Sequence, residues 1–180
     1  MEKKLIKVGK DYREMYSVFR DVVLKCGIEN GDNVIWGGCP GSCYAMASFF
    51  SYGLRDLGLN LYFAVDADIH NLWRLELMKE VGIYASKKEK PIKAKVLVLM
   101  SGLLRVPFEN VLEFVREGLG NEGTIIGETA APGLFEQVKW HEKIPFRFIF
   151  EFSMERPSSF EVVSPGAGEF GHSATPYTLG

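Results

Sequence analysis

The chain has 180 residues, 47% of them hydrophobic, with 21 basic against 23 acidic side chains and a formal net charge of -2. This is enough apolar mass for one ordinary core, and the balanced charge, with no basic block longer than "KKEK" at Lys87 to Lys90, argues against nucleic acid as a partner. Its apolar runs are too short to span a membrane, "MEKKLIKVGK" lacks the apolar region of a signal peptide, and three cysteines make no disulfide framework; a cytoplasmic protein with reduced thiols is expected.

Tyr12, Met15, Tyr16, Phe19, Val22, Val23 and Cys26 recur at helical spacing and predict an amphipathic helix ending near Gly27. "DNVIW" then reads as a strand, "GGCPG" as a break, and Ser42 to Leu57 as a helix. "LNLYFAVDAD" supplies a second strand, and Asn71 to Val81, with Leu72, Leu75 and Val81 inward, a further helix. "AKVLVLMSG" has the continuous apolar character of a strand buried on both faces, followed by a helix from Pro107 to Leu119. "GTIIGE" and "FRFIFEF" are two more strands, with a short helix around Leu134 to Val138 between them.

This alternation predicts an α/β fold, a three-layer αβα Rossmann-like sandwich with a mostly parallel sheet of about five strands and an N-terminal helix. A single domain covers residues 1–155. From residue 156 onward the Pro-, Gly- and Ser-rich sequence predicts an extended or disordered tail, with "FEVV" as an alternative short edge strand. The helix from Ser42 is apolar around most of its circumference and needs cover on more than one side, from the N-terminal helix or from a second subunit in a homodimer.

In such a sheet ligands bind beyond the carboxyl ends of the strands. The first loop there, "GGCPGSC", places Gly37, Gly38, Cys39, Gly41 and Ser42 at the start of a helix, where free N–H groups favour an anion. A nucleotide or another phosphorylated small molecule is the first reading, with Asp66, Ser101 and Glu128 at neighbouring strand ends to contact ribose or phosphate. The spacing matches neither a dinucleotide fingerprint nor a Walker loop. Thr129 would be a further phosphate donor, and Asp68 is read as the N-cap of a helix beginning near Ile69. Which cofactor, if any, the protein uses is left open by the sequence.

The cysteines suggest other chemistry. Gly37, Cys39 and Gly41 outline a nucleophile elbow, but Pro40 lacks the N–H that the oxyanion hole of an elbow requires. Cys43, in the first turn of the helix, would have its thiol activated by the helix dipole, with Cys39 as its redox partner. Both are otherwise small fillers in tight packing, as Cys26 is expected to be in its own helix. A zinc set of Cys39, Cys43, His70 and Asp66 or Asp68 lacks finger-like spacing, and no metal site is assigned. His141 reads as a surface connection, Trp36 and Trp73 as core, and His172 falls in the tail.

The run "VIWGGCPGSCYAMASFFSYGLRD", with the strand and acidic turn after it, resembles an archaeal family known as a domain of unknown function. The resemblance spans about the central half of the chain. It implies a stand-alone intracellular α/β protein and carries no catalytic residue across. Three readings of function follow: a binder of a phosphorylated ligand, a thiol-based redox enzyme using Cys43 and Cys39, and a non-catalytic assembly subunit. Whether the protein is an enzyme is left open by the sequence.

Overall fold

The computed structural model describes residues 2–153 and 158–163. In chain order the elements are β1 (Glu2–Val8), α1 (Met15–Lys25), β2 (Asn33–Gly38), α2 (Ser42–Tyr52), β3 (Asn60–Val65), β4 (Leu72–Met78) and β5 (Gly82–Glu89). There follow β6 (Ala94–Met100), α3 (Phe108–Gly118), β7 (Leu119–Thr129), α4 (Leu134–Gln137), β8 (Phe146–Glu151) and β9 (Ser158–Val163). Short 3₁₀ turns at Tyr12–Glu14, Ser101–Arg105 and Trp140–Glu142 link them.

Among the described residues, nine strands join one sheet in the order β1-β9-β8-β7-β6-β2-β3-β4-β5. The five strands expected from the sequence are its parallel centre, since β8, β7, β6, β2 and β3 pair parallel with their neighbours. Both flanks are antiparallel. The expected mostly parallel sheet of about five strands is therefore corrected to a mixed sheet of nine.

The alternation of each central strand separates two cores. Val34, Trp36, Val96 and Val98 face α1 and α2, while Ile35, Leu97 and Leu99 face α3. Phe19, Trp36, Phe50 and Phe150 pack together at the centre of the first core, Phe19 stacking on Trp36 at 5.0 Å and Phe150 meeting Phe19 and Phe50 edge-on. Cys26 is buried there as expected. Helix α2 stops at Tyr52, short of the predicted Leu57, where Gly53 lets the turn approach Tyr16. Its cover comes from within the chain: Phe49 stacks on Tyr16 of α1 at 4.2 Å, and Tyr44 Oη accepts the Ala85 N–H of β5.

The predicted helix over Asn71 to Val81 is instead β4 and the turn into β5. Leu72 and Leu75, three apart, suggest a helical face, yet Leu72 packs into one core and Leu75 into the other. A strand buried on both faces, with a register shift between Arg74 and Leu75, thus imitates helical spacing. With no helix there, Asp68 caps no helix; its carboxylate accepts the His70 N–H at 2.8 Å in a local turn.

β1 has no clear apolar period and was not legible as a strand. It pairs with β9 and is held by Lys3, which reaches Glu136 at 2.6 Å and Glu151 at 2.7 Å. "FEVV" lies in β9, which is interior, between β1 and β8, and not an edge strand. The rest of the C-terminal segment, His172 included, lies outside the described residues.

Candidate functional site

Strand order reverses beside β2: the chain passes from β2 to β3 on one side and later returns to β6 on the other. The loops after β2 and β6 meet at this switch point, where open α/β sheets commonly bind ligands. The loop from Gly38 to Ser42 and the turn Ser101–Arg105 border it. Glycines set how closely they approach. A Cβ on Gly38 would lie 2.5 Å from Cys43 Cβ, and one on Gly102 would overlap Cys43 Sγ and stand 3.0 Å from Cys39 Sγ. Gly37 similarly admits the Phe114 ring. These positions accommodate the protein's own side chains, whereas Gly41 has open space around it.

Cys39 and Cys43 meet at this junction, their sulfurs 3.1 Å apart and unbonded; the Cys39 S–H donates to Cys43 in the neutral pair, and the Cys43 S–H donates to Cys39 once Cys39 is a thiolate. Cys39 is half-buried and Cys43 buried. Burial alone pushes the Cys39 thiol up, but the N–H and S–H of Cys43, the Ser42 hydroxyl and the Gly41 N–H together bring it down to about 7. Donors at the start of α2 therefore converge on an anion supplied by the chain itself. Cys43 goes the other way. Burial, its donation to Cys39 and the charges of Cys39 and Glu128 push it up to about 12. The thiol expected to be lowered was Cys43; the two shifts have the opposite directions, with Cys39 lowered and Cys43 raised.

Glu128, at the carboxyl end of β7, is 2% exposed. Burial first, and then the Cys39 charge, push its carboxyl up to about 8, so it holds a proton at neutral pH. Asp66 is paired with Arg105, which donates to both of its oxygens. Ser101 starts the 3₁₀ turn beside Gly102 and is half-buried. Thr129 closes a local turn, its hydroxyl accepting the Ala131 N–H at 3.0 Å.

His70 is exposed and lies 3.8 Å from Glu117, not with the thiols. Among the described residues no three His, Cys, Asp or Glu side chains are grouped to hold a metal. Arg105 and Gly102 were not singled out from the sequence. Both lie in the loop after the "AKVLVLM" strand, and its position at a strand end was the signal available. Arg105 also interacts electrostatically with both thiols, which help to hold its guanidinium charged.

An open pocket of about 220 Å³ starts at Pro40, the residue after the activated thiol, and is lined by Tyr44, Phe63, Val65, Trp73 and Ala85. Trp73, expected in the core, is half-buried on its wall with Lys88 Nζ 5.5 Å from its ring centroid. A larger cavity of about 360 Å³, lined by Leu54, Arg55, Arg74, Glu76 and Tyr84 among others, holds neither thiol.

The fold and site define a mixed α/β protein with a pair of adjacent thiols at the carboxyl end of its parallel strands. The chain belongs to the family described as uncharacterized proteins conserved in archaea (DUF2124), whose model matches residues 11–155. An uncharacterized protein of Methanothermobacter thermautotrophicus is 27% identical over 150 residues, covering 81% of this chain and 90% of that protein. The crystal structure of a protein of unknown function from Methanothermobacter thermautotrophicus matches with a TM-score of 0.72 at 26% identity, over 84% of this chain and 92% of the other.

Proposed function

We propose that this protein is a dithiol-disulfide oxidoreductase in which Cys39 is the nucleophile and Cys43 the resolving thiol. The observation that carries the reading is the 3.1 Å approach of the two sulfurs at the start of α2, with the Cys39 thiol brought down to about 7. A thiolate available at neutral pH can attack a disulfide, and a second thiol within reach can displace the product. The Cys39 thiolate attacks a substrate disulfide R–S–S–R′, its S–S bond breaks, and R′S⁻ leaves and takes a proton from solvent. The Cys43 sulfur, losing its proton, attacks Cys39 Sγ and releases the second thiol. Two protein thiols are thus oxidised to one disulfide while the substrate disulfide is reduced to two thiols.

This reading is preferred to binding of a phosphorylated ligand because the donors at the start of α2 are directed at Cys39. Gly38 and Gly102 make room for the Cys43 side chain. The pocket beside Pro40 offers room for the apolar part of a disulfide substrate.

The test is trapping. Cys43→Ser treated with dipyridyl disulfide should hold a stable mixed disulfide at Cys39, whereas the wild-type protein should go on to an internal Cys39 to Cys43 disulfide. Mass spectrometry of the cleaved peptides reads both. Modification spread over all three cysteines, or none on the native protein, would reject the proposal.

A further inference from the structure

Resolution requires the Cys43 proton to leave, and Cys43 is buried. The charged and titratable groups coupled to the two thiols are few. Arg105, exposed and paired with Asp66, acts from outside, while Glu128 acts from within. Glu128 lies on the face of the sheet that α2 covers. It stands in register with Met100 of β6 on one side and Phe150 of β8 on the other, and both of these belong to the core beneath α1 and α2. Gly37 pairs with Leu99, so Gly38 is next to Met100, and a Cβ on Gly38 would lie 3.0 Å from Met100 Sδ and 2.5 Å from Cys43 Cβ. Among the described residues no hydrogen bond or ion pair occupies the Glu128 carboxyl, although it is nearly fully buried. A carboxyl buried to this degree beside two thiols is a candidate functional group.

We propose that Glu128 is the acceptor of the Cys43 proton in the second half of the exchange, made ready for that role by covalent capture of Cys39. The inference rests on the dithiol reading of Cys39 and Cys43. In the resting protein the Cys39 thiolate helps to keep Glu128 protonated and receives the Cys43 S–H. When Cys39 enters a mixed disulfide its charge disappears. The Glu128 carboxyl then ionises at lower pH, and the Cys43 proton loses its thiolate acceptor. Transfer of that proton to Glu128 frees an electron pair on Cys43, which forms the bond to Cys39 as the bond to the product sulfur breaks. The departing thiolate takes up a proton, from Glu128 or from solvent. One proton is consumed overall, and the protein thiols supply both electrons.

Dipyridyl disulfide separates the two halves, because each releases one coloured thiopyridone. The wild-type protein should release two equivalents, the second with a rate that bends with pH as Glu128 titrates. Glu128→Gln should lower the ratio of second to first release rates at least tenfold, in keeping with the roughly 10²- to 10⁴-fold typical of general base catalysis. It should also remove that bend. Glu128→Asp should restore part of both. An unchanged ratio and pH profile in Glu128→Gln would overturn the role of Glu128 while leaving the dithiol couple standing. Release of a single equivalent by the wild-type protein would overturn the dithiol couple itself.

Discussion

Cys26 and Cys39 lie at opposite kinds of helix end, and their thiols shift in opposite directions. Cys26 follows the last turn of α1, where its S–H donates to the Val22 carbonyl at 3.4 Å inside the core, and burial pushes its thiol up to about 12. Cys39 precedes the first turn of α2, where the available backbone groups are N–H donors, and its thiol comes down to about 7. Carbonyls at a helix end favour a thiol, and N–H groups at a helix start favour a thiolate. Burial inside the core and the N–H donors at a helix start push the two thiols apart, and the proposed nucleophile is the one the donors reach.

The largest expected effect is in alkylation of the native protein at pH 7. Ionisation favours Cys39 over Cys26 by about 10⁵, and the lower intrinsic nucleophilicity of a low-pKa thiolate takes back about 10². Iodoacetamide labelling followed by peptide mapping should therefore favour Cys39 by roughly 10³ or more, with Cys26 labelled only on unfolding. Comparable labelling of both would erase the contrast.

The next effect sharpens it through Glu128, whose folded value is raised from an ordinary 4.5 to about 8. A raised carboxyl binds more protons folded than unfolded between those limits. Stability should therefore fall as pH rises from about 4.5 to about 8, by a few kcal/mol in order of magnitude. Cys39, lowered from 9.0 to about 7, works oppositely and returns stability between about 7 and 9. Urea denaturation across this range should show the fall in the wild-type protein and its absence in Glu128→Gln.

A smaller effect isolates the donor. Cys43→Ala removes the S–H that faces Cys39 and should move the Cys39 thiol back toward its ordinary range, slowing its alkylation at pH 6 about three- to tenfold. Gly102→Ala should act in the same direction, because the added methyl displaces Cys43 Sγ. The smallest effect belongs to Asp66→Asn. The Arg105 pair is substantially exposed, so its loss should leave a denaturation curve nearly unchanged.

Much of the centre of the fold was legible because its strands are buried on both faces and its helices show a clear period. "AKVLVLM" and the pattern from Tyr12 to Cys26 each admit one reading. The flanks were not. β1 carries Lys3, Lys4 and Lys7 and has no apolar alternation, and β4 imitates a helix because Leu72 and Leu75 serve opposite faces. In the site, the sequence brought Cys39, Cys43 and Glu128 to one end of the sheet, since strand ends follow from strand runs. The assignment of roles to the two thiols was not legible, because it depends on which sulfur faces the N–H groups and which is sealed by the Gly38 and Gly102 backbones.

The most direct test of the account is a redox titration of the native protein in glutathione buffers, with the linkage read by peptide mass spectrometry. The account predicts one two-electron transition, loss of two hydrogens, a Cys39 to Cys43 disulfide and a free Cys26. An oxidised protein without that linkage, or with Cys26 or a second chain in its place, would contradict it.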